Sequence, residues 1–410
     1  MTDELVAVDD HLGVVLDAVR PLGEFDVTLL DAHGCVLAED VSSPIPLPPF
    51  DSAAADGYAV RLADVAAATQ GVPAVLPVVG EVTAGSTDPY TVQPGLCLRI
   101  AAGAPVPPGA EAVVPVEWTD GGSVQVAIHR SPPDGANIHR TGEDVTAGSP
   151  LLTAGVHLGA AQVGLLAASG LDRLRVRPRP RVVVLSTGRD LLDPGQPATA
   201  GRRYDSNSFL LTGAVRETGA IAYRVGILPE DLATLRDTLE DQLIRADAVV
   251  SSGGLSRGSG DAMTEVLSRM GSVRFSRVAL AAGERQGFGT IGPDAVPFFA
   301  LPGSPVSAFV SFEVFVRPAL RRMLGVEPIQ RPQVRATATA AMRSPSGLRS
   351  YLRGRLAVRD GAYAVEPLSS RDHSLAGLAE ANALIVIPED VTDVPPGDPV
   401  AVMMLERRHG

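Results

Sequence analysis

The sequence predicts a multi-domain protein of the α/β plus β class, and three observations predict it. Over residues 182–324, short apolar runs alternate with helical periods, the pattern of a doubly wound parallel sheet. Residues 74–153 and 334–405 read instead as short strands separated by Gly and Pro. The chain has 410 residues, more than one ordinary core accommodates, so two to four domains are expected.

The elements follow in order. Leu12, Val15, Leu16 and Val19 recur at helical spacing and predict a helix over residues 10–20, ended by Pro21. Strands are expected over 25–30 and 35–41, then a stiff extended segment, Pro44-Ile45-Pro46-Leu47-Pro48-Pro49. Further strands fall at 74–82, 96–101, 112–118 and 124–129, and a helix at 160–168. Arg177-Pro178-Arg179-Pro180 marks a linker. Val182-Val183-Val184-Leu185 is an unbroken apolar run, as in a strand buried on both faces. Helices over 206–218, 230–245 and 262–270 alternate with strands over 221–227, 248–251 and 298–301. A long helix over 305–324 contains Pro318, a site for a kink. Residues 325–332 form a second linker. The remainder is a small β-barrel or sandwich with a hairpin turn at Asp360-Gly361.

Charge and composition exclude several classes. The net charge is −12, against general nucleic-acid binding, which needs a basic face. All 35 basic residues are arginine, so no Walker lysine, Schiff-base lysine or lysine general base exists. Cys35 and Cys97 have no metal-ligand spacing and read as reduced core thiols. Residues 1–10 are acidic and lack an apolar stretch, which predicts no secretion signal. No run of about 18 apolar residues occurs, so no membrane span is expected and the cytoplasm is the predicted location.

Three loops follow predicted parallel strands, where open α/β sheets bind ligands. The first, Ser251-Ser252-Gly253-Gly254-Leu255-Ser256-Arg257-Gly258-Ser259-Gly260-Asp261, opens a helix. Its glycines allow backbone N–H groups to turn inward as an anion cradle. It lacks the lysine of a P-loop and is no GxGxxG fingerprint. In the second, Leu301-Pro302-Gly303-Ser304-Pro305, Ser304 reads as an N-cap and Pro305 as the first helical residue. The third is Ser186-Thr187-Gly188-Arg189-Asp190, whose Asp190 reads as a Mg²⁺ or water ligand or as a turn aspartate. Asp56, Asp144 and Glu230 lie in loops and, read alone, are turn or cap residues. The seven histidines show no metal-ligand spacing, and His373 reads as a surface residue.

Together these strings resemble one family. Pro49-Phe50-Asp51 with Asp56-Gly57-Tyr58-Ala59-Val60-Arg61 is similar to the PxFDNSAMDGYAVR segment of the molybdopterin molybdenumtransferase (MoeA-like) family. Gly103-Ala104-Pro105-Val106-Pro107 resembles its TGAPVP string, and Arg140-Thr141-Gly142-Glu143-Asp144 its RxxGED loop. Ser251 to Gly254 with Asp261 resembles SSGGVSxGxxD, Leu301-Pro302-Gly303 with Pro305-Val306-Ser307 resembles LPGNPVS, and Ala381-Asn382 with Leu384 to Pro388 resembles ANxLIVIP. The matches keep their order over nearly the whole chain.

The resemblance implies a homodimer of four-domain subunits. These are an N-terminal helical and linker domain (1–26 and 154–177), a β-rich domain (27–153), a doubly wound molybdopterin-binding domain (178–326) and a C-terminal β-barrel (327–410). It implies Mg²⁺-dependent insertion of molybdate into adenylylated molybdopterin with release of AMP. The pterin phosphate would lie on the α/β domain, closed over by the partner's N-terminal domains, and other molybdenum-cofactor biosynthesis proteins are possible partners. Asp56, Asp144, Asp190, Glu230 and Asp261 become catalytic candidates, with Asp190 and Asp261 as metal ligands. Ser186, Thr187, Gly188, Ser252, Gly253, Gly254, Ser256, Gly258, Pro302, Gly303 and Ser304 become cofactor-binding candidates. The sequence also departs from the family. Where the family has KPGKP, it reads Ala281-Ala282-Gly283-Glu284-Arg285, without the two cations. GDEL is Gly188-Arg189-Asp190-Leu191, and LPGNP has Ser304 for its Asn. Lost cations weaken an oxyanion site, and the alternative is a non-catalytic paralogue that binds molybdopterin or partner subunits as a scaffold or regulator.

Overall fold

The apolar run at residues 182–185 becomes the strand Arg181–Thr187 at the centre of the α/β domain. It pairs in parallel with Ile221–Leu228 on one side and Ala248–Ser252 on the other, and Ala248–Ser252 pairs in parallel with Val296–Leu301. The structure, a computed structural model, describes residues 5–229, 231–254, 262–281, 283, 285–368 and 374–405. Glu230, Ser256, Gly258 and Asp261, and also Arg257, Glu284 and His373, lie outside the described residues.

Alternation along the central strands builds two cores. Val182, Val184, Val250 and Phe299 pack with Leu211, Phe312 and Leu320 on one face. Val183, Leu185, Val249 and Phe298 pack with Leu235, Leu239 and Val266 on the other. Side chains of successive strand residues point to opposite faces, so an all-apolar strand needs helices on both sides. The helices Asn207–Glu217, Leu232–Leu243 and Ala262–Met270 supply them, together with the segment that begins at Pro305.

The sheet continues beyond the predicted parallel strands. Arg285–Ile291 runs antiparallel to Val296–Leu301, Arg274–Val278 lies antiparallel beside it, and Leu5–Val6 closes the edge in parallel. The helix expected over 305–324 forms without a break, as Pro305–Ser311, a π turn Phe312–Val316 and Arg317–Leu324. Pro318 has no N–H to give an i−4 carbonyl, and the π turn, with its wider i→i+5 ladder, sits immediately before it. Gly325 ends the helix in the left-handed conformation, φ 74°.

The other units are β-rich, as expected. Phe25–Thr28 and Val36–Leu37 pair with Arg173–Arg177 about 140 residues later and share a core with Leu158 and Leu166 of the helix region near Ala160–Ala168. A five-stranded sheet, which contains Gly57–Val60, Ala74–Val82, Cys97–Ile100, Ala112–Pro115 and Gln125–Ile128, carries its own cores. The C-terminal strands Gln333–Ala338, Ser350–Arg359, Ala362–Pro367, Ala383–Ile387 and Pro399–Met404 close into a barrel. Its hairpin turns at Asp360 and Gly361, both with positive φ. Cys35 and Cys97 are buried free thiols, and burial pushes Cys97 up to about 12. Among the described residues no helix is long and apolar enough to cross a membrane.

Candidate functional site

The carboxyl ends of the four parallel strands define the site. Two loops meet there: Gly253 follows Ala248–Ser252 and Gly303 follows Val296–Leu301. A Cβ on Gly303 would lie 3.7 Å from the Gly253 Cα, and one on Gly253 would lie 2.3 Å from the Thr187 carbonyl oxygen. Gly253 also has φ +90°, so both space and conformation require glycine. Its amide donates to the Leu301 carbonyl at 3.2 Å. The Gly253 N–H is spent on joining two loops, and its glycine serves close approach. Gly254 follows with φ +67°.

A buried carboxylate underlies this rim. Asp205, 1% exposed, accepts from the Ser186 hydroxyl at 3.0 Å, the Ser208 amide at 3.0 Å and the Ser208 hydroxyl at 2.6 Å. Ser186 also meets the Ser252 hydroxyl at 3.2 Å. The Arg224 guanidinium lies 3.7 Å from Asp205, donates to Ser208 at 2.6 Å, and stacks on Phe209 at 4.0 Å. A buried charge persists only when so satisfied. The network locks the ends of Arg181–Thr187 and Ala248–Ser252 to the start of the helix Asn207–Glu217.

Three buried oxygens at the rim have no hydrogen-bond partner among the described residues: Thr187 Oγ1, Asn207 Oδ1 and Ser304 Oγ. Asn207 is held in place because its Nδ2 donates to the Gly303 carbonyl at 2.8 Å. Ser304 stands at the N-cap position but its hydroxyl makes no cap bond, so the capping role expected for its side chain is not met. Buried polar atoms without partners are rare in folded proteins and call for a ligand or water.

The acids fall in two places. Asp190 lies on an excursion from the rim, in which Leu191–Leu192 pairs with Arg203–Tyr204. Its Oδ2 accepts from Arg203 Nε at 2.5 Å. Asp231 caps the helix Leu232–Leu243, and the Thr234 hydroxyl and amide hold its carboxyl below the usual range. Asp56 and Asp144 sit in the β-rich region. Asp56 Oδ1 accepts from the Ala102 amide at 2.7 Å, and Asp144 is an exposed residue whose amide donates to Leu47. These bonds stay within that region. Among the described residues no group of three or more His, Cys, Asp or Glu converges as a metal site.

Beside the rim, a cavity of about 490 Å³ opens between the α/β domain and the barrel. Ala281, Gly283 and Ser307 line one wall, and Ser350, Tyr351 and Arg353 the other. It adjoins the rim, because a Cβ on Gly283 would meet Pro302 at 2.7 Å and Ser307 at 3.2 Å. Arg353 is buried and donates to the Ser374 carbonyl at 3.1 Å.

This arrangement coincides with known proteins along the whole chain. The model described as the MoeA N-terminal region (domain I and II) matches residues 6–170, a probable molybdopterin binding domain matches 183–322, and the MoeA C-terminal region (domain IV) matches 335–405. The chain belongs to the MoeA family. Molybdopterin molybdenumtransferase 2 of Mycobacterium tuberculosis is 42% identical over 403 residues, covering 97% of this chain and 98% of that one. Molybdopterin molybdenumtransferase 1 of the same organism is 42% identical over 415 residues, with 96% of each chain covered. The crystal structure of the molybdopterin biosynthesis MoeA protein from Pyrococcus horikoshii OT3 superimposes with a TM-score of 0.71 at 28% identity, over 98% of this chain and 100% of that one. Within the MoeA frame, sequence reasoning missed Asp205, Asn207, Ser208, Arg224 and Arg353. Asp205-Ser206-Asn207 precedes a helix and reads as an ordinary cap; only the buried carboxylate and its partners reveal more.

Proposed function

We propose that this protein inserts molybdate into adenylylated molybdopterin and releases AMP, with Mg²⁺. The observation that carries the proposal is the trio of unpartnered oxygens, Thr187 Oγ1, Asn207 Oδ1 and Ser304 Oγ, at the strand ends of a MoeA-family α/β domain. In this reading they bind the polar edge of the pterin nucleotide, and the loops at Ser252–Gly254 and Pro302–Gly303 receive its phosphate. Ser186 and Asp205 hold the rim rigid.

Mg²⁺ typically uses one or two protein carboxylates and completes its shell with water and substrate phosphates. A single carboxylate such as Asp190, on the excursion from the rim, suits that mode rather than a closed protein cage. Asp190 would hold the ion with Asp261, and the bond from Arg203 would orient the Asp190 carboxylate. Bound there, Mg²⁺ would neutralise charge on the phosphates as the phosphoanhydride breaks. The cavity beside the rim suits a tetrahedral oxyanion, with Arg353 supplying charge and Ser307 and Ser350 supplying hydroxyls.

Asp56 and Asp144 act in this account from the partner subunit of a homodimer, since their own bonds keep them in the β-rich region. The cytoplasm is the proposed location. The second reading, a non-catalytic molybdopterin-binding scaffold, draws on Ala281, which borders the oxyanion cavity without a charge. The two separate on incubation with adenylylated molybdopterin, molybdate and Mg²⁺. Molybdate-dependent AMP release supports insertion. Binding of the nucleotide with no AMP released supports the scaffold, and no binding overturns both.

A further inference from the structure

Arg349 stands where three parts of the molecule meet. Its guanidinium forks onto the Asp9 carboxylate, with Nη1–Oδ1 and Nη2–Oδ2 both 2.8 Å. Nη2 also lies 3.0 Å from Glu389 Oε1. Asp9 opens the helix Val8–Ala18, whereas Glu389 follows the barrel strand Ala383–Ile387. The Arg349 main chain is engaged too. Its amide donates to the Ala279 carbonyl at 2.8 Å, and its carbonyl accepts from Ala281 at 3.0 Å. Ala279 in turn donates to the Val6 carbonyl at 2.8 Å.

These contacts run on from the edge of the seven-stranded sheet. The N-terminal strand Leu5–Val6, the segment after Val278 and the barrel residue Arg349 are laced side by side. Both walls of the interdomain cavity begin at this lacing. Ala281 and Gly283 continue from one side, and Ser350, Tyr351 and Arg353 from the other. Tyr351 is buried against Val8, Leu12 and Phe315. The Asp9 carboxyl is held below its ordinary range chiefly by its hydrogen bond with Arg349.

We propose that Arg349 is a positioning residue, a clamp that sets the width of the cavity between barrel and α/β domain by tying both to the N-terminal helix. A bidentate arginine–carboxylate pair fixes orientation as well as distance. Two of its anchors are side chains outside the cavity lining, so the clamp can be loosened without touching the cavity walls. Its consequence for turnover rests on the reading of that cavity as the oxyanion subsite.

The test uses the full chain with Asp9→Asn and Glu389→Gln combined, which removes both carboxylates and keeps Arg349 and its main-chain bonds. Spin labels at Asp237→Cys and Asp360→Cys, on exposed faces of the α/β domain and the barrel hairpin, report the interdomain distance. The clamp predicts a broader distance distribution in the double variant than in the parent. It also predicts a KM for molybdate raised roughly five-fold, the scale of losing such ion pairs, with kcat and affinity for adenylylated molybdopterin unchanged. An unchanged distance distribution overturns the clamp. A broadened distribution with an unchanged KM supports the clamp and overturns the oxyanion reading of the cavity. Arg349→Lys, which keeps the charge and loses the fork, should fall between parent and double variant.

Discussion

Asn207 Nδ2 donates to the Gly303 carbonyl at 2.8 Å, across the mouth of the parallel sheet. The bond joins the first helix of the α/β domain to the loop after its last parallel strand, and it orients the unpartnered Asn207 oxygen. A side chain held in this way needs little reorganisation to meet a ligand.

The contact between Gly253 and Thr187 sets the first prediction. Gly253→Ala places a Cβ 2.3 Å from the Thr187 carbonyl oxygen at φ +90°. We expect destabilisation of about 2–4 kcal/mol from clash and backbone strain together, seen as a lower urea midpoint. An unchanged midpoint would show that the two loops separate freely.

His11 gives a pH dependence. It is buried edge-on against Phe315, ring centroids 4.8 Å apart, and burial lowers its pKa to about 4. The native state therefore favours neutral imidazole, while the unfolded chain takes up a proton near pH 6.5. Its stability contribution is present above that pH and declines as pH falls from 6.5 to 4, by an amount on the order of 3 kcal/mol. Urea midpoints of the parent should drop over this window more steeply than those of His11→Phe; parallel curves would contradict the assignment.

Asp51 titrates lower. The Thr141 amide, Arg140 and the Thr141 hydroxyl hold its carboxyl below the ordinary range and tie the Pro49-Phe50-Asp51 loop to the Arg140–Asp144 loop. A depressed carboxylate stabilises above its unfolded pKa, near 4, and that contribution is lost as pH falls through the folded value. Asp51→Asn should cost stability at pH 7 and less at pH 3. Equal cost at both would place its effect in packing instead.

Charge at the interdomain cavity is adjustable. Ala281 borders it, and Ala281→Lys should tighten molybdate binding by roughly five- to ten-fold, the scale of one charge-assisted hydrogen bond. Calorimetry with molybdate reads this directly. Unchanged affinity would mean that Arg353 already supplies the charge or that molybdate binds elsewhere.

Much of this was legible before the structure. Val182 to Leu185 and Ala248 to Ser251 announced themselves because a strand buried on both faces has no polar alternation to hide it. Arg274–Val278 and Arg285–Ile291 did not, since Arg274, Arg277 and Arg285 interrupt the apolar pattern at the edge of the sheet. The pairing of Phe25–Thr28 with Arg173–Arg177 is a long-range contact without a local signal. At the site, motif strings located the rim, but Asp205 and Asn207 look like helix-start residues until burial shows one satisfied carboxylate and one unsatisfied amide oxygen. Asp190 was visible, whereas its neutralisation by Arg203, 13 residues away, was not.

The central claim is that this rim holds the pterin nucleotide, and titration of adenylylated molybdopterin into the parent and Asn207→Ala proteins tests it most directly. The account predicts binding by the parent and affinity at least about ten-fold weaker in the variant, the scale of one or two lost hydrogen bonds, with folding retained. Equal affinity in the two proteins would contradict it.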